Sequence, residues 1–161
     1  DIVVLESRKW VADIKTAPNI ALEANVHGNF DVLRLVFAKG APLYVNPAHV
    51  SLIPAIIKGD AAAVRALSTS VDLNTANMHT LPLYIAAGLG DAQIVRILLE
   101  NGAKLKTKNM SRGELMEVTV KNGRTEVVTQ IRELEDIADA MEEVLAGKVP
   151  ARIVFEFASA Q

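Results

Sequence analysis

The sequence predicts an all-α chain, a helical solenoid of about four stacked helix pairs with helical caps and a short C-terminal strand. Three observations carry this expectation. Glycines recur at Gly28, Gly59, Gly90 and Gly123, separated by 31, 31 and 33 residues. Five residues after each stands an aliphatic side chain (Leu33, Val64, Val95, Val128), and four residues before each a small one (Ala24, Ala55, Ala86, Thr119). Directly after the first three glycines come Asn29, Asp60 and Asp91, short polar side chains suited to accept backbone N–H bonds as helix N-caps. A constant period of this length is the signature of a repeat architecture, in which each unit buries its apolar face on the next.

Taken in chain order, residues 1–18 open with the branched run Ile2-Val3-Val4-Leu5 and continue with Trp10, Val11 and Ile14 at helical spacing, which predicts a strand and a capping helix. Residues 19–131 hold the repeats. In each, a first helix rich in small residues approaches its neighbours closely. The second carries a one-sided stripe such as Ile94, Val95, Leu98 and Leu99. Gly40 and Gly102, each followed by alanine, mark left-handed caps at the ends of second helices. The fourth unit has Arg124 and Thr125 where the others have a capping residue. Residues 132–161 predict a separate capping helix over 133–146, with Leu134, Ile137, Ala138, Met141 and Leu145 on one face and Gly147 as its cap. A strand at Ile153-Val154-Phe155-Glu156-Phe157 follows Pro150.

The segment Leu81-Pro82-Leu83-Tyr84-Ile85-Ala86-Ala87-Gly88-Leu89-Gly90, with Val71-Asp72-Leu73-Asn74 ahead of it, resembles an ankyrin repeat. The likeness covers roughly residues 19–131 and is strongest over 81–113. Departures are Tyr84 for the usual histidine, Leu81 and Glu114 for the threonine, and Leu115 for the proline. The resemblance implies a non-enzymatic protein-interaction module. Its partner, another protein, would meet the loop tips and the exposed side of the first helices, a concave face. Carried over residue by residue, the implied contacts are Met78, His79 and Tyr84 in one junction and Met110, Ser111 and Arg112 in the next. Ile57, Lys58, Leu89, Lys121 and Asn122 stand just before the turn glycines. For the two methionines the alternatives are adaptable contact at an exposed tip and packing between adjacent loops.

The tail resembles a second family. Leu134-Glu135-Asp136-Ile137, the stretch from Met141 to Val149 and Arg152-Ile153-Val154 are similar to the C-terminal helix and strand of zinc-type medium-chain alcohol dehydrogenases. That likeness implies, as the alternative function, a fragment or fusion of an NAD(P)-dependent enzyme. It covers at most about 50 residues of end-piece, and the Gly-His-Glu zinc motif, cysteine ligands and glycine-rich nucleotide turn of that family are missing.

Composition narrows the remaining classes. The 161 residues carry 17 basic and 19 acidic side chains, so the basic footprint of a nucleic-acid binder is lacking. No cysteine is present, which excludes disulfides, thiolate metal sites and cysteine nucleophiles. The longest apolar stretches, such as residues 50–57 interrupted by Pro54, fall short of a membrane span. A cytoplasmic location is expected, and the first residue, Asp1, suggests a fragment or a processed form. His27, His49 and His79 sit on different repeats, without the spacing of a zinc site, and are expected as exposed loop residues. Gly88-Leu89-Gly90 follows a helical segment rather than a strand, so it is no dinucleotide turn. No catalytic set, metal site or cofactor is expected. The two strand-like ends leave two alternatives: a homodimer in which the tail strand pairs with another chain, or irregular apolar caps on the terminal repeats.

Overall fold

The computed structural model describes residues 19–146, and these form eight α-helices. They are α1 (Ile20–Val26), α2 (Phe30–Ala38), α3 (Leu52–Lys58), α4 (Ala61–Ser68), α5 (Pro82–Leu89), α6 (Ala92–Glu100), α7 (Arg112–Lys121) and α8 (Thr125–Leu145). Short 3₁₀ turns at Pro47–His49 and Met78–Thr80 lead into α3 and α5. No strand is found among the described residues; one isolated bridge joins Thr107 to Met110. The strand-like ends, Trp10 and the cap at Gly147 lie outside the described residues.

Each phased glycine turns one helix into the next with positive φ, from 65° at Gly28 to 82° at Gly90, a region in which a side chain is strained. Gly40 and Gly102 close α2 and α6 in the same way. Asp60 accepts from Ala63 N–H and Asp91 from Ile94 N–H, each at 3.0 Å, so both cap as expected. Asn29 makes no capping bond.

Three pairs stack in order. Their first helices pack α3 on α5 on α7, and their second helices α4 on α6 on α8. The middle pair is covered from both sides: every residue of α5 is buried, and α6 buries Ile94, Val95, Ile97 and Leu98. The connecting segments are laced by asparagines. Asn46 Nδ2 donates to Thr75 C=O (3.3 Å), Asn109 Nδ2 to Ala76 C=O (3.0 Å), and Asn74 both donates to Gly102 C=O and accepts from Lys104 N–H.

The first pair departs from that order. In a continuous stack α1 would pack on α3 and α2 on α4; instead α1 lies on the Met78–Thr80 turn, and α2 crosses to α5, with a smaller contact to α3. The pair thus sits across the first-helix layer. Its own apolar stripe explains the one-sided docking, since α2 buries Phe30, Leu33 and Val36, at i, i+3 and i+6, while Val32 is exposed.

The separate capping helix expected over 133–146 is corrected: it is the second half of α8, which runs unbroken over 21 residues because no glycine or proline interrupts the stretch between Thr125 and Leu145. The fourth unit's first helix starts at Arg112, three residues ahead of the position equivalent to Pro82. Ser111 and Glu114 form a capping box there, each side chain bonded to the other's backbone N–H.

Candidate interaction site

A cleft that gathers four of the eleven expected contact residues lies between α1, α5 and α7. Its volume is about 240 Å³, and Met78, His79, Tyr84 and Lys121 line it together with Glu114 and Glu117. Glu114, Glu117 and Lys121 recur at i, i+3 and i+7, so α7 presents all three on one side. The opposite wall is the C-terminal end of α1 and its turn, Val26, His27 and Gly28.

An aromatic row crosses the floor. The rings of His79 and Tyr84 meet edge to face at 5.7 Å and 82°, and Tyr84 meets Phe30 of α2 at 5.7 Å and 62°. Burial, then the Glu117 and Glu114 carboxylates, raise the Tyr84 phenol above its ordinary range, so it stays a neutral hydroxyl at physiological pH. Glu114 is shifted the other way. Hydrogen bonds from the Ser111 backbone N–H (2.7 Å) and hydroxyl (2.8 Å) hold its carboxyl below the usual range, with His79 adding to the effect.

The remaining expected residues are dispersed. Lys58 is exposed, with its ammonium 6.0 Å from the centre of the Phe37 ring. Ser111 is occupied as an N-cap, and half-buried Arg112 opens α7. Asn122 closes α7, and its Nδ2 donates to Gly28 C=O (2.9 Å) and Val118 C=O (2.8 Å). Ile57 and Leu89, expected at the surface, are buried in the core, and Tyr84 is buried too but its ring still lines the cleft. Met110, only 2% exposed, takes the loop-packing alternative, because the Thr107 bridge folds its side chain inward. His49 is also corrected: it is fully buried, and its Nε2 lies 2.7 Å from Asp72 C=O, tying two successive loops. His79 is half-buried, and Asn25 Nδ2 donates to its carbonyl.

Sequence reading missed the polar contacts that join the first pair to the stack. The Arg124 guanidinium donates to Asp31 Oδ1 at 2.7 Å, held in place within the stack by its Nε, which donates to Gly88 C=O at 3.0 Å. Arg34 donates to Leu89 C=O at 3.4 Å, and Lys121 Nζ to His27 C=O. Gly88 was the readable signal, a helical glycine with no turn to make: a Cβ there would collide with the Phe30 ring.

Among the described residues no three His, Asp or Glu side chains are placed to hold a metal ion. Among them, too, no helix is long and apolar enough to cross a membrane. No protein-family model matches the chain.

Proposed function

We propose that this chain is a protein-interaction module of ankyrin-repeat type, which binds a protein partner on the face formed by its first helices and loop tips. The observation that carries this reading is convergence. Met78, His79 and Tyr84 of one junction and Lys121 of the next unit line one cleft. The chemistry of that cleft, two carboxylates beside an aromatic pair and a flexible methionine, suits a long cationic side chain set in an otherwise apolar segment of the partner.

The test is selection of binders from a displayed random-peptide library against the intact chain, followed by substitution. Glu117→Gln and Met78→Ala are expected to weaken selected binders about tenfold each, roughly the loss of one good interface contact. Gln93→Ala and Arg96→Ala, at exposed positions on α6, serve as controls. Binders that respond to the controls and ignore the cleft would overturn the assignment.

A further inference from the structure

The first helix pair touches the stack at a site with the features of a receptor. Phe30 is fully buried against α5 at the one helical position, Gly88, where any side chain would collide with its ring. A glycine inside a helix is disfavoured by about 1 kcal/mol relative to alanine, so its presence here fits the ring rather than the helix. Beside this notch the Arg124 guanidinium takes the carboxylate of the next residue, Asp31, and the Leu89 carbonyl takes the guanidinium of Arg34 three residues on. Along α2 the pattern is therefore aromatic, acid, two residues, base.

The occupant is lightly built. Helix α1 buries only Ala21, Ala24 and Asn25, and α2 has one buried stripe and no side-chain cap. Its tether to α3 passes the left-handed Gly40 and the exposed Pro42, and Tyr44 is half exposed. The stack, by contrast, holds α6 between α4 and α8, and α5 between α3 and α7. Segments with little buried apolar area open at lower free energy than the enclosed core.

We propose that α1–α2 is a displaceable internal occupant of this receptor, and that the partner it stands in for presents an amphipathic helix with the same pattern: an aromatic residue followed directly by a carboxylate, with a guanidinium three residues later. This rests on the reading of the first-helix face as a partner-binding surface; because α1 walls the cleft described above, a helix that expels the pair uses the receptor at Gly88 and not that cleft. While the internal pair is seated, apparent affinity for such a helix is reduced by the fraction of chains that are closed.

The experiment uses the full chain and, as probe, a fluorescein-labelled peptide with the sequence of residues 19–39. Phe30→Ala weakens the occupant and leaves the receptor intact, so the probe is expected to bind this variant at least about tenfold tighter than the unaltered chain. Adding Gly88→Ala fills the notch and is expected to abolish the gain. Hydrogen exchange of Phe30→Ala is expected to accelerate over residues 21–36 while residues 94–98 keep their protection. Should Phe30→Ala leave too little folded protein to measure, Asp31→Lys, which sets like charges at Arg124, carries the same test. Loss of protection in both regions together, or a released pair with no gain in probe binding, overturns the proposal. The library selection above involves neither Phe30 nor Gly88, so the two readings can fail separately.

Discussion

Helix pairs α1–α2 and α5–α6 share the same sequence device, a helix, a left-handed glycine and a second helix, yet they occupy different places. The middle pair has apolar residues all round its first helix and is enclosed by neighbours on both sides; the first pair has a single stripe and lies crosswise over the layer that α5 helps to form. Phased glycines therefore specify the unit. Which surface a unit docks on depends on how much of its circumference is apolar, and on whether the surface opposite carries a matching notch.

The largest expected effect probes the difference in enclosure. Ile94→Ala, at a fully buried site in α6, should cost about 2–5 kcal/mol and lower the urea midpoint of the whole chain in one transition. Leu33→Ala, equally buried but in α2, should instead give an early separate loss of helix followed by a main transition near its original position. Circular dichroism during urea unfolding reads both. A single, equally shifted transition in the two variants would erase the distinction between the pairs.

A smaller contrast lies in the caps. Asp91→Ala should lose about 1 kcal/mol, because its carboxylate caps α6, whereas Asn29→Ala, at the equivalent position before α2, should stay within about 0.5 kcal/mol. Thermal denaturation of the two variants side by side sharpens the comparison. Similar losses would mean that Asn29 caps in solution after all.

The smallest effect is one of pH. The Glu114 carboxyl lies below its ordinary range in the folded chain, so its contribution to stability is complete above the usual carboxylate range and is lost as pH falls through the lowered value. Glu114→Gln should therefore lower the melting temperature at neutral pH, and the gap to the unaltered chain should close in acid. A gap constant with pH would remove the capping-box carboxylate from the account of how α7 starts.

Much of this architecture is legible in the residues. The four glycine turns, the caps at Asp60 and Asp91 and the closures at Gly40 and Gly102 are local, and local chemistry is what spacing reports. The start of α7 is readable too, since Ser111 and Glu114 stand at capping-box spacing. The placement of α1–α2 was not, because stacking in series and folding across the stack need the same apolar stripe on α2. Burial of His49 escaped for a related reason. It sits in a loop whose neighbour, one repeat on, supplies the covering carbonyl of Asp72, and a single-unit reading contains no such neighbour.

Between the first pair and the stack, most polar contacts pair a side chain with a main-chain carbonyl: Asn25 with His79, Arg34 with Leu89, Lys121 with His27 and Asn122 with Gly28. A carbonyl belongs to the peptide bond and survives any substitution at its own position. Only the donor half of each contact is exposed to genetic drift, so the acceptor residues can diverge in identity while the docking geometry persists. Descendants of this sequence would keep Asn25, Arg34, Lys121 and Asn122 recognisable longer than the partners they touch, and an engineer moving the helix pair to another stack would transplant donors and inherit the acceptors from the fold.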